Sequence, residues 1–85
     1  LAADHAARGT QLDLLEGQER ARAVRQALDR LPERQRMALI LLRFEDRSYR
    51  EIAQTLECSV AAVESLVHRA MEALKGYLSP FMEQG

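Results

Sequence analysis

The chain has 85 residues, room for one domain, with 12 Lys+Arg against 13 Asp+Glu, a formal net charge of −1 and a hydrophobic content of 47%. That apolar share and that charge exclude a disordered chain, and a single cysteine, Cys58, excludes a disulfide scaffold. The longest apolar run, Met37 to Leu42, is far below the ~20 residues that cross a bilayer.

No basic start followed by an apolar stretch marks a signal peptide, and the lone cysteine fits a reduced, cytoplasmic setting. The charge balance at first argues against nucleic acid, but its layout is uneven, as the elements below show. No stretch alternates with period two and β-branched residues are few, so the predicted class is all-α.

Residues 1–16 keep no sustained apolar period and read as a linker or a frayed N-terminus. Gly17 marks the join to a domain over 17–80, and 81–85 form a C-terminal tail. The first helix is expected from about Gln18 to Arg30. Ala21, Val24, Leu28 and Leu31 recur at three and four residues as one apolar stripe. Leu31-Pro32 ends it, because a residue before proline avoids the α region.

Pro32 suits the first position of a second helix running to about Phe44, with Glu33 favourable in its first turn. Met37 to Leu42 make this helix apolar on every side. A chain this small cannot easily surround such a helix, so part of that surface is a candidate docking site.

Glu45-Asp46-Arg47 is a polar turn. Ser48 followed by Glu51 is a capping box, opening a short third helix from Tyr49 to Leu56. Glu57 and Cys58 make the next turn, and Cys58 reads as a packing residue. Ser59 caps a fourth helix from Val60 to about Leu78, and Ser79-Pro80 close it. A short helix, a tight turn and a longer helix make a helix-turn-helix pattern.

At about 100° per residue, Val60, Val63, Val67, Ala70, Met71 and Leu74 fall on one core stripe of the fourth helix, with Leu66 at its edge. The opposite face carries Ala61, Ser65, His68 and Glu72, flanked by Ala62 and Arg69 on one side and Glu64 and Lys75 on the other. Small residues on the first two turns let a backbone enter a major groove, and His68 and Arg69 can reach phosphates or base edges. Arg47 and Arg50 sit where the first helix of such a motif meets the phosphate backbone. Each of these residues would also be at home on an ordinary solvated surface, with the two arginines paired to Glu45, Asp46 or Glu51.

The segment Leu31-Pro32-Glu33-Arg34-Gln35-Arg36, the apolar helix, Ser48-Tyr49-Arg50-Glu51-Ile52-Ala53 and the stretch from Ser59 to Ala70 together resemble region 4 of bacterial sigma factors of the extracytoplasmic-function group. The similarity covers about residues 18 to 78. It implies a small four-helix domain with a C-terminal helix-turn-helix, in the winged-helix-like DNA-binding superfamily. It also implies a −35 promoter-reading domain that docks on the RNA polymerase core at the beta flap and is controlled by an anti-sigma factor.

By that resemblance, Ser59, Ala61, Ala62, Ser65, His68 and Arg69 carry DNA contacts, with Arg47 and Arg50 as backbone contacts. The apolar helix and its flanks (Leu31, Pro32, Leu39, Leu42 and Phe44) face polymerase or an anti-sigma factor. Residues 1–16 link to the preceding sigma region, and region 2 is absent from this chain. Family members often carry basic residues where Glu64 and Leu66 stand. Glu64 can still accept from a cytosine amino group, so it joins the DNA-binding set.

A sigma-mimic domain that binds anti-sigma factors without DNA, or another helix-turn-helix regulator, stays open beside this reading. No nucleophile motif or glycine-rich loop points to an enzyme, and no catalytic residue or cofactor is expected. Glu64, His68 and Glu72 share a face, but a metal site there is disfavoured against a solvated surface.

Overall fold

The computed structural model describes the backbone over residues 2–84 and side chains over 14–80. Four helices follow in order: α1 (Ala2–Asp29), α2 (Glu33–Arg43), α3 (Tyr49–Leu56) and α4 (Val60–Gln84). No strand occurs among the described residues.

The first helix begins well before the expected Gln18. Its first half needs no apolar stripe to be helical, because it is rich in Ala and Leu, both strong helix formers. Leu14 and Leu15, the first two residues whose side chains are described, are exposed. The stripe is also broader than its 21-24-28-31 spacing. Ala21 is exposed, while Ala23 and Ala27 join Leu28 and Leu31 among the buried residues. The guanidinium of Arg30 lies 3.9 Å over the Tyr77 ring, tying the end of α1 to the distal half of α4. His5 lies outside the residues whose side chains are described.

Pro32 stands one position before its expected place, as the N-cap of α2, with its carbonyl accepting from Arg36 N–H at 2.9 Å. The α2 surface is less uniform than its sequence. Ala38 and Leu39 are buried, Ile40, Leu41 and Leu42 are half-buried, and Met37 faces out. The chain leaves α2 through Asp46, whose φ is 54°, while Arg47 N–H returns to Leu41 carbonyl at 2.9 Å.

The capping box of α3 is complete. Ser48 Oγ accepts from Glu51 N–H at 3.1 Å, and Glu51 Oε1 accepts from Ser48 N–H at 3.0 Å. Ser59 Oγ accepts from Ala62 N–H at 3.1 Å and caps α4. The fourth helix continues past the expected Leu78 and through Pro80 to Gln84. Pro80 has no N–H to give to Gly76 carbonyl, but Gly76 is exposed, so water can take that place. The backbone over 81–84 continues as helix; side chains there, and Gly85, lie outside the described residues.

One core joins the C-terminal end of α1, α2 and α3 to α4. Ile52 and Val63 are its largest fully enclosed side chains, and Ala38 and Ala70 are equally inaccessible. Cys58 is half-buried against this cluster, as a packing residue should be. Val60, expected in the core stripe, is instead 40% exposed, because the stripe meets its partners only from Val63 onward. The radius of gyration is 17.0 Å, against about 12 Å for a compact chain of this length, because long helices extend beyond the core.

The turn between α3 and α4 is a Schellman turn: Cys58 N–H meets Ala53 carbonyl at 3.0 Å and Glu57 N–H meets Gln54 carbonyl at 3.3 Å. Its left-handed residue is Glu57, at φ 56° and ψ 50°, where glycine is favoured. A carboxylate there also opposes the negative end of the helix dipole. Glu57→Gly should therefore stabilise the domain by about 1 kcal/mol. Urea unfolding checks this: the midpoint should rise with the m-value unchanged.

Candidate nucleic-acid interface

The two side-chain caps fix where α3 and α4 begin, and the buried residues fix which face each turns inward. On α3, Ile52, Ala53 and Leu56 are buried, which leaves Arg47, Arg50 and Glu51 outside. On α4, Val63, Val67 and Ala70 are buried, which turns Ala61, Glu64, Ser65, His68 and Arg69 outward. Those five residues line a single shallow, open depression on the outer face of α4. Ser59 is exposed at its head, and Ala62 is half-buried on the flank.

The sequence-derived DNA set is thus divided. Ala61, Glu64, Ser65, His68 and Arg69 share one surface, while Arg47 and Arg50 lie at the N-terminal end of α3. Ser59 Oγ is already occupied as an acceptor by the cap of α4. Arg47 is also partly engaged, with its guanidinium 3.5 Å from Glu51 Oε2, both side chains about half exposed. Arg50 and Arg69 form no ion pair among the described residues, so both cations are available to an anionic partner. No cluster of residues suited to hold a metal ion occurs among the described residues.

A second surface lies on the other side of α2. Ala21, Val24, Arg25 and Leu28 of α1 and Ile40 and Phe44 of α2 line an apolar groove. Phe44 is 64% exposed at its end. Of the residues assigned by resemblance to partner contact, Pro32 and Phe44 are exposed and Leu42 is half-buried. Leu31 and Leu39 do not fit that role, being 3% and 2% exposed; both are spent on the domain's own core. For Leu39 the periodicity of α2 alone separates nothing, because apolar residues occupy every side of that helix, while Leu31 belongs to the apolar stripe at the end of the first helix. Ile40 carries no groove signal for the same reason, whereas Val24, on α1, reads in sequence as part of the apolar stripe.

A capped short helix, a left-handed turn and a longer helix with an open, small-residue outer face define a helix-turn-helix domain of the DNA-binding kind. Residues 21–74 match the family described as Sigma-70, region 4. The RNA polymerase sigma-H factor of Pseudomonas aeruginosa is 41% identical over 61 residues, which is 72% of this chain and 32% of that protein. The ECF RNA polymerase sigma-E factors of Salmonella typhimurium and Escherichia coli are each 33% identical over 72 residues, 85% of this chain and 38% of theirs. The chain belongs to the sigma-70 region 4 family, and its relatives are ECF sigma factors. It spans about a third of the length of those relatives. Sigma factors are not enzymes. Among the described residues no helix is long and apolar enough to cross a membrane.

The α3 cap carries a titratable group. The hydrogen bond from Ser48 backbone N–H, then the Ser48 side chain and the Arg47 guanidinium, hold the Glu51 carboxyl below its ordinary value. A lowered folded value means stability that is present above the unfolded glutamate range and lost as pH falls through the folded one. Thermal melts of wild type and Glu51→Gln should differ by a constant amount at neutral pH, and the difference should shrink on acidification below about pH 4.5.

Proposed function

We propose that this domain reads the −35 promoter element with the outer face of α4 while docked on the RNA polymerase core. The observation that carries this is the exposed face itself. Ala61 and Ser65 present little bulk on its first turns, and His68 and the unpaired Arg69 follow one turn later. Ser65, His68 and Glu64 then face base edges, Ala61, Ala62 and Ser59 admit the backbone, and Arg69 and Arg50 meet phosphates. Arg47 joins them when DNA competes with its exposed pairing to Glu51, a pairing of small worth.

Residues 1–16 serve as a helical linker from a preceding sigma region, and 17–80 form the reading domain. The groove of Val24, Leu28, Ile40 and Phe44, with Pro32 and Leu42 nearby, receives the polymerase flap or an anti-sigma factor. Its apolar lining suits the apolar face of a partner helix. The site of action is cytoplasmic, where promoter and polymerase are.

A second reading has one observation in its favour. Glu64 stands among the DNA-facing residues with no cation paired to it, which suits a sigma mimic that binds anti-sigma factor without DNA. Both readings use the groove, and only the first uses Arg69.

Two measurements test this. In holoenzyme, Arg69→Ala should weaken −35 binding and reduce the slope of log affinity against log salt by about one. An unchanged affinity and slope would remove Arg69 from the interface. Phe44→Asp, at a position already 64% exposed, should leave the melting temperature nearly unchanged and weaken polymerase or anti-sigma binding at least tenfold. Unaltered binding by pull-down titration would exclude the groove.

A further inference from the structure

We infer that Arg34, which lies outside the helix-turn-helix, is a positioning residue for it. Arg34 sits in the first turn of α2, and its Nη2 donates to Leu56 carbonyl at 2.9 Å, across 22 residues of sequence. Leu56 is the last residue of α3, at the hinge with the turn into α4. The other side-chain hydrogen bonds described above reach no more than four residues along the chain.

The acceptor it takes is one that the turn leaves over. The last four carbonyls of a helix lack partners within it. In α3 the Schellman turn uses Ala53 and Gln54 carbonyls for Cys58 and Glu57 N–H. Leu56 carbonyl receives the guanidinium. A cation at a helix C-terminus also meets the negative end of the dipole, and a charged donor makes a stronger hydrogen bond than a neutral one.

The turn needs outside support. Its left-handed position is held by Glu57 in place of a glycine, and α3 is only 8 residues long, with Ile52, Ala53 and Leu56 as its buried anchors. Those anchors bury one face of α3 down to its last residue, and the Arg34 bond adds a polar tie at the same end. Arg34 joins that end to α2, which shares the most extensive helix interface with α4. The bond therefore closes a loop of contacts α2–α3–turn–α4. It fixes the direction in which α4 leaves the turn, and so the angle at which its outer face is presented. This rests on the reading that α4 enters DNA. It assigns to Arg34 control over the choice of site, with no DNA contact of its own.

Three variants decide the matter: wild type, Arg34→Met, which keeps the aliphatic stem and removes the donor, and Arg34→Lys, which restores a cationic donor. Amide hydrogen exchange on this chain should show Glu57 and Cys58 exchanging about tenfold faster in Arg34→Met, with Val63 and Val67 unchanged. In holoenzyme, selection over randomised −35 sites should lose several-fold preference while the salt slope stays constant. Arg34→Lys should recover both. Unchanged exchange at the turn, or a uniform acceleration of all amides, would overturn the inference. So would a salt slope lowered by about one, which would mark a phosphate contact. If wild-type holoenzyme shows no −35 preference, the proposed function falls, and the exchange arm alone judges the clamp.

Discussion

The distance at which α2, α3 and α4 approach one another governs everything the domain presents, and small residues set that distance. Ala38 and Ala70 are fully enclosed, and Ala53 is 6% exposed. The spacing of packed helices depends on the side chains at the contact, and alanine allows the closer end of the range. Ile52 and Val63, both fully enclosed in the same cluster, fill what remains between the axes. Both are β-branched and stiff, so they hold one arrangement better than flexible side chains would. Extra methylenes at the alanines would force the helices apart and turn the outer face of α4 with them.

The same core explains why a chain this small supports two surfaces. The eight-residue α3 spends three side chains on burial, and α4 spends Val63, Val67 and Ala70. Leu66, Met71, Ala73, Leu74 and Tyr77 pack half-buried against the same core, and the outer face from Ala61 to Arg69 stays open to a partner. The helix α2 sits between the uses: Ala38 and Leu39 serve the core, while Ile40 and Phe44 serve the groove. The exposed apolar surface at Phe44 is a cost that an isolated domain has no reason to carry, which supports a docking role for that side.

How much of this was legible in sequence depends on how local each determinant is. The caps at Ser48 and Ser59 were, because each acts over three residues, and the inward face of α4 followed from its period. The early start of α1 was not, because amphipathic pattern was weighed above propensity and the segment before Gly17 has only the latter. Leu39 gives no such signal, because an apolar residue on an all-apolar helix carries no mark of which neighbour it meets, and Leu31, in the apolar stripe before Pro32, is claimed by the core. Val60 failed in the opposite sense: it keeps the period of the core stripe but lies one turn beyond the core's edge. Arg34 had no signal at all, since its partner is a backbone carbonyl far along the chain, and only the fold brings the two together.

The near-zero net charge acquires a physical meaning once the layout is known. Residues 31–75 hold seven basic and seven acidic side chains, yet Arg50 and Arg69 stand unpaired while Arg47 is half-satisfied by Glu51. Few phosphates can be neutralised by so few cations, and Glu64 subtracts from the same face. Counterion release is the chief source of sequence-independent affinity, so on the proposed function the free domain holds DNA weakly. On the same proposal, tethering to polymerase supplies what the charge does not, since a linked domain binds at a high effective concentration without any new contact. A weak electrostatic term has a second consequence. On that proposal the discrimination between sites falls on short-range contacts from Ser65, His68 and Glu64, which depend on the angle at which α4 is presented. A reader built this way gains little from more surface charge and much from a rigid turn, so the stiffness of the α3–α4 junction is the property on which its selectivity rests.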